Sequence, residues 1–312
     1  MKITRHYATG AEPSRGARER APLIDRRGFL ALATGAGVTL ALPAPARPRG
    51  LDGLDLAALE ARHGGRLGVC ASTRARRIGW RQGELFAYAS TFKLFLAACV
   101  LGRVQDGRDR LDRRILVRER DMVTHAPATG PAVGSTMTIA ELCRAAVELS
   151  DNPAANILLR ELGGLESFQS WYRGIGDAVT RVDRYETALN SALPGDPRDT
   201  TSPGQAVANL ERVLLGGLLA PRLLQLLETW LLETPTGAGR IKAGVPAGWR
   251  VAHKTGTGAR NSYNDIGMIR PPSGPPVAIA VYYTGASAAT PEQLDAVVAA
   301  ATRAVVDALG VA

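Results

Sequence analysis

The chain has 312 residues, with 38 Lys and Arg against 29 Asp and Glu and a formal net charge of +9. Seven of these basic and three of these acidic residues fall within residues 1–46. The rest are spread without a basic block or interleaved aromatics, which argues against nucleic acid as a partner, while a mildly basic body favours small anionic substrates. The three cysteines, Cys70, Cys99 and Cys143, lack metal-like spacing, so no metal is expected.

The first segment reads as a leader rather than as folded protein. Asp25-Arg26-Arg27-Gly28-Phe29-Leu30 is a twin-arginine pattern, residues 28–45 are uncharged, and Ala44-Pro45-Ala46 is a small-residue cleavage signal. Together these mark a secretory leader, and the paired arginines point to the route that exports folded proteins. The competing reading is an uncleaved anchor. The apolar run is well under the roughly 20 residues a span needs. Residues 1–46 are therefore expected to be a twin-arginine signal peptide, cut near Ala46, leaving a periplasmic or secreted protein with no membrane attachment. That compartment permits a disulfide. The odd cysteine count instead favours three small buried apolar residues.

Residues 54–62 read as a helix, and residues 66–72 and 78–80 as strands with a turn between them. Residues 92–101 are apolar nearly all round, as in a buried central helix. Further helices are expected over 138–149, 153–162, 203–215 and 221–232. Asn152 before Pro153 and Ser202 before Pro203 are cap-then-proline start signals. Strands return at 249–254, 265–270 and 277–283, and a last helix at 291–309. Strands at both ends with helices between imply an α/β plus all-α fold. The expected division is an α/β domain from residues 47–88 and 236–312, with an all-helical domain inserted over 89–235. The cleft between two such units is the usual place for a site.

Four patches carry chemistry. In Ser90-Thr91-Phe92-Lys93, residues three apart share a helix face, so Lys93 can ease deprotonation of the Ser90 hydroxyl. Alone, Ser90 reads as a helix N-cap. Ser150-Asp151-Asn152 supplies a hydroxyl that can carry a proton and an amide that can hold a substrate, or simply a cap at Asn152. Lys254-Thr255-Gly256-Thr257-Gly258 follows a strand, and its glycines let a substrate approach the backbone. The N–H groups of Ser90 and Thr257 can form an oxyanion hole, where losing one donor costs about 3 kcal/mol. Lys254, Thr255 and Thr257 can hold a carboxylate. The fourth patch, Arg184-Tyr185-Glu186-Thr187-Ala188-Leu189-Asn190, places a carboxylate four residues before an amide. Alone it is a charged loop.

S-x-x-K, S-D-N and K-T-G in this order resemble the signature set of class A serine β-lactamases and penicillin-binding proteins. The resemblance runs from about residue 55 to the C-terminus and includes Pro153-Ala154-Ala155-Asn156 and Asp199-Thr200-Thr201. It implies an antiparallel sheet flanked by helices from both chain ends, no cofactor, a monomer, and hydrolysis of β-lactams through an acyl-enzyme on Ser90. Ser150 and Lys93 would relay a proton to the leaving nitrogen, and Asn152 would hold the substrate's amide side chain. Glu186 and Asn190 match the pair that directs water onto the acyl-enzyme; an ester needs a base beside its water. Whether Lys93 or Glu186 takes the first proton is left open. Arg184 and Asp199 match an ion pair closing the loop, and Arg240 a residue that reaches the substrate carboxylate. His125 stands where relatives usually carry Tyr or Trp at the cleft wall. Ala97 replaces one partner of a disulfide found in some members, which leaves Cys143 without its usual mate; a Cys99–Cys143 bridge is an open alternative that is not expected. Ala89 and Gly258 stand where disulfide-bearing carbapenemases carry cysteines. The rival readings are a D-alanyl-D-alanine peptidase and a penicillin sensor that stays acylated. Neither is expected to need the Glu186–Asn190 pair. A glutaminase-like amidase is disfavoured by the leader.

Overall fold

The computed structural model describes residues 56–311; the expected leader and the first residues of the expected first helix lie outside them. The chain forms α1 (Leu56–His63), β1 (Arg66–Ser72), β2 (Arg77–Trp80), β3 (Phe86–Ala87), α2 (Phe92–Gln105), β4 (Arg114–Leu116) and β5 (Thr136–Thr138). It continues through α3 (Ile139–Glu148), α4 (Asn152–Glu161), α5 (Leu165–Gly174), β6 (Thr200–Thr201), α6 (Pro203–Leu214) and α7 (Pro221–Glu233). Strands β7 (Arg250–Gly258), β8 (Ser262–Arg270) and β9 (Val277–Thr284) and helix α8 (Pro291–Leu309) complete it.

Five strands pair antiparallel in the order β2-β1-β9-β8-β7. Alternation along β9 explains why the sheet is covered on both faces. Ala278, Ala280 and Tyr282 join a core with α2, α3, α4 and α6. Val277, Ile279, Val281 and Tyr283 join a second core with α1 and α8. Successive side chains point to opposite faces, so a strand apolar at every position needs a layer on each side. Helix α2 is buried from Phe92 to Leu101, as its all-round apolar sequence requires.

The segment expected to be all-helical, 89–235, also carries strands: β4 pairs with β5, and β6 pairs with β3, all too short to show as periodicity in the sequence. Strand β8 begins at Ser262 rather than at residue 265, and two further elements differ from the sequence expectation. Helix α5 was not anticipated; it starts after Gly163 and Gly164, both at positive φ, and buries Phe168 and Tyr172. Strand β7 does not stop at Lys254 but pairs with β8 through Gly258↔Ser262. Its glycines do not end the strand. A Cβ on Gly256 would lie 2.7 Å from the Tyr88 carbonyl oxygen and 3.1 Å from the Thr91 nitrogen, so this glycine lets β7 lie against the turn before α2.

All three cysteines are buried and free, so Cys99 and Cys143 are not bridged. Burial pushes the thiols of Cys70 and Cys99 up to about 11 and about 12. No helix among the described residues is long and apolar enough to cross a membrane.

Gly256→Ala is expected to overpack the contact between β7 and the Ser90 turn, at a cost of about 1–3 kcal/mol. Thermal unfolding followed by circular dichroism would read this as a fall of several degrees, with turnover reduced as well. A variant that melts with the wild type would contradict the close-approach argument.

Candidate active site

Ser90 lies in the 3₁₀ turn Ala89–Thr91, which runs directly into α2. Asn264 Nδ2 donates to the carbonyls of Ala87 and Tyr88 at 2.9 and 3.2 Å, fastening this turn to β8. The N-cap of α2 is Thr91, without a side-chain cap bond. The Ser90 hydroxyl is therefore not a cap; Oγ donates to Glu186 Oε1 at 3.3 Å.

Lys93 follows one turn later and is fully buried. Its Nζ lies 3.0 Å from Glu186 Oε1 and donates to Ser150 O at 2.8 Å and Asn152 Oδ1 at 2.5 Å. Burial holds this amine below the usual lysine range, and the Glu186 carboxylate opposes that shift.

The second patch divides its labour differently from the sequence reading. The cap of α4 is Asp151, not Asn152: Asp151 Oδ1 accepts from Ala154 N at 2.8 Å, and Oδ2 accepts from Ala128 N and Thr129 N at 2.9 Å each. Asn152 is the first helical residue, which frees its side chain to bridge Lys93 Nζ and the Thr124 carbonyl, the latter at 2.8 Å. Ser150 is left-handed at φ 58°, a conformation that costs a non-glycine residue about 1–3 kcal/mol. Its Oγ accepts from Lys254 Nζ at 3.1 Å with Lys93 Nζ at 3.5 Å, so its own proton is directed elsewhere. His125 is exposed and left-handed. Its Nε2–H donates to Leu149 O at 2.9 Å, and its carbonyl accepts from Asn152 N at 3.0 Å.

The Glu186 loop is clamped at the backbone of Glu186 and again at its carboxylate. Asn156, on α4, accepts from Glu186 N at 2.9 Å and donates to Glu186 O at 2.8 Å. Asn190 Nδ2 donates to Glu186 Oε2 at 2.6 Å. Asn190 Oδ1 is buried without a hydrogen-bond partner among the described residues. At the neck of the loop, Asp199 is fully buried and accepts from Arg184 Nε at 2.5 Å, Arg184 N at 3.0 Å, Asp183 N at 2.8 Å and Tyr88 OH at 3.3 Å.

On β7, Lys254 is fully buried and donates to Ser150 Oγ and, at 3.0 Å, to Thr255 O. Burial, reinforced by the charge of Lys93, holds it well below the usual lysine range. Thr255 Oγ1 meets Thr236 Oγ1 at 2.8 Å. Arg240 is not a free arm. Its Nε is paired with Asp295 at 2.6 Å, Nη1 donates to the carbonyls of Gly256 and Asn264, and Nη2 donates to Thr257 Oγ1 at 2.9 Å. One guanidinium hydrogen remains, beside Thr257. Behind this strand His253 Nδ1 lies 2.9 Å from both Asp265 oxygens, and Asp265 Oδ2 accepts from Ile241 N at 3.1 Å, tying β7 to the segment that carries Arg240.

Ser90, Lys93, Ser150, Asn152, Glu186, Asn190 and Lys254 thus form one hydrogen-bonded set, with Thr255, Gly256 and Thr257 continuing the strand from Lys254. Arg184 and Asp199 lie at the loop neck and bond to none of that set. Asn156, Asp265, Asn264 and Asp295 belong to none of the four sequence patches that suggest a role. Asn156 carried a signal: a polar residue four positions after Asn152, on the same face and within the apolar part of the helix.

A family model described as the β-lactamase enzyme family matches residues 54–309. The chain is 41% identical over 293 residues to the β-lactamase L2 of Stenotrophomonas maltophilia, covering 89% of this chain and 96% of that one. It is 42% identical over 258 residues to the carbapenem-hydrolysing β-lactamase KPC of Klebsiella oxytoca, covering 82% and 88%. An ancestral class A β-lactamase of solved structure superposes with a TM-score of 0.79 at 50% identity, over 81% of this chain and 98% of that one. The chain belongs to the β-lactamase enzyme family, as a class A serine enzyme.

Burying the Lys254 amine has a consequence for stability. Its folded pKa is depressed below 10.5, so between those values the unfolded chain binds a proton that the folded chain does not, and stability rises with pH. Lys93 acts in the same direction. The urea midpoint is therefore expected to rise between about pH 7 and about pH 9, before the buried tyrosines titrate. In Lys254→Met the midpoint should be higher at the lower pH and rise less. Equal slopes in the two proteins would contradict this.

Proposed function

We propose that this chain opens the β-lactam ring of penicillins and cephalosporins through an acyl-enzyme on Ser90, and so protects its host from these antibiotics. The observation that carries the reading is the position of Glu186: Oε1 is shared between Ser90 Oγ at 3.3 Å and Lys93 Nζ at 3.0 Å, while Asn190 holds Oε2. A carboxylate fixed beside the nucleophile is the base that an ester on Ser90 needs for its hydrolysis.

In this reading Ser90 attacks the lactam carbonyl as its proton leaves through the Glu186–Lys93 pair. The backbone N–H groups of Ser90 and Thr257 receive the developing oxyanion. Ser150, its oxygen held by Lys254, delivers a proton to the ring nitrogen as the C–N bond breaks. Lys254, Thr255 and Thr257 hold the substrate carboxylate. Arg240 contributes mainly by aiming Thr257, since most of its donors already have partners. Asn152 and Gly256 line the bound substrate, and His125 closes the cleft rim. Water positioned by Glu186 and the acceptor Oδ1 of Asn190 then adds to the ester carbonyl, and Ser90 leaves with the proton returned. Arg184 and Asp199 keep the loop in place.

The accompanying proposals are export through a twin-arginine leader over residues 1–46, a periplasmic or secreted monomer, and no nucleic-acid partner. The division into 47–88 with 236–312 and an inserted 89–235 is retained as a proposal, supported by the two cores on opposite faces of the sheet. The peptidase and sensor readings are less well supported, because neither uses the clamped Glu186–Asn190 pair.

The mature chain is expected to turn over a chromogenic cephalosporin continuously, and Ser90→Ala to lower kcat/KM by about a thousandfold or more. Acylation by one equivalent of penicillin without further turnover would favour the sensor instead.

A further inference from the structure

A second cavity, of about 820 Å³, lies at the end of the sheet, and none of the residues assigned to β-lactam chemistry lines it. Its walls come from the start of β1, the end of β9, the β7–β8 turn and the later part of the 183–203 loop. A main-chain bond separates it from the Ser90 cleft: Ala259 N donates to Asn190 O at 2.9 Å. The residues just beyond each partner, Ala192 and Leu193 on one side and Arg260 and Asn261 on the other, become cavity wall.

The wall is apolar with a cationic rim. Leu85 and Leu193 are 41% and 45% exposed, two of the four large apolar side chains that stand exposed among the described residues, and both line this cavity. Single exposed leucines need no explanation, but two lining one concavity give it the apolar wall that ligand pockets have. Pro194 and Pro197 extend the apolar wall. The charged lining residues are three arginines and one aspartate. Arg66 is already paired with Glu84 at 2.9 Å and lies 3.7 Å over the Phe86 ring, and Arg198 is paired with Asp196 at 2.9 Å. The exposed Arg260 guanidinium has no hydrogen-bond or ion-pair partner among the described residues.

We propose that this cavity binds an amphipathic anion, with an aromatic or aliphatic body against Leu85, Leu193, Pro194 and Pro197 and a carboxylate or sulfonate on Arg260. A planar fork with free donors suits such a head group. The site is distinct from the β-lactam cleft, and its occupancy does not require Ser90.

Fluorescence titration with 8-anilinonaphthalene-1-sulfonate tests this, because the probe is itself an amphipathic anion and brightens in apolar surroundings. The mature chain is expected to bind it at one saturable site that phenylboronic acid, directed at the reactive serine, does not displace. Leu193→Asp, an exposed position outside the catalytic set, should weaken binding at least tenfold. Arg260→Asn keeps a residue that tolerates the left-handed backbone at φ 55°. It should weaken the sulfonate several-fold and leave the neutral N-phenyl-1-naphthylamine unchanged. Displacement by phenylboronic acid, or binding that neither variant alters, would overturn the proposal. Both outcomes are read from binding, so they stand apart from any failure of β-lactam turnover.

Discussion

The ion pair between Lys93 and Glu186 is the contact on which the rest of the site depends. It spans 3.0 Å with both side chains fully buried. Two ions removed from water are tolerated only if nearly every lone pair and proton finds a partner; removing one member of such a pair costs about 3–5 kcal/mol. The neighbouring residues meet that demand. Ser150 O and Asn152 Oδ1 take the remaining Lys93 hydrogens, and Ser90 and Asn190 donate to the carboxylate. The groups that neutralise the pair are the same ones that carry the proposed chemistry, so stability and reactivity are set by one network.

Three distant segments have to converge for that network to close, and each is held by a device of its own. The Ser90 turn is fixed from β8 by Asn264 and made accessible to β7 by the missing side chain of Gly256. The Ser150 turn is fixed by Asp151, whose carboxylate gathers the 128–129 backbone and caps α4. The Glu186 loop is fixed from below by Asn156 and at its neck by Arg184–Asp199. The cost of left-handed backbone at Ala89, Ser150 and Asp199 falls within these fastened turns.

Much of this arrangement was legible in the sequence. The all-apolar run of α2 and the uninterrupted β9 declared their burial, because periodicity reports how many faces of an element are covered. The motif residues were legible as a set, since their types and order fit one reaction. What escaped was whatever depends on partners remote in sequence. Ser90 and Asn152 each fit a helix cap locally, but the caps belong to Thr91 and Asp151. Strand β7 seemed to end at its glycines, whose role is instead a close approach to Tyr88. Arg240 read as an arm toward substrate, and only the folded chain reveals that Asp295 and two carbonyls have claimed most of its donors. Helix α5 follows two glycines and has only a short apolar stripe, too little to stand out from a loop.

In this active site the Glu186 loop serves the removal of the proposed acyl group as well as its formation. Mass spectrometry of Glu186→Ala mixed with a penicillin tests it directly. The expected product is a protein heavier by one opened β-lactam, attached at Ser90 and persisting long after the wild type has returned to its free mass. A Glu186→Ala chain that clears its acyl group as fast as the wild type would contradict it.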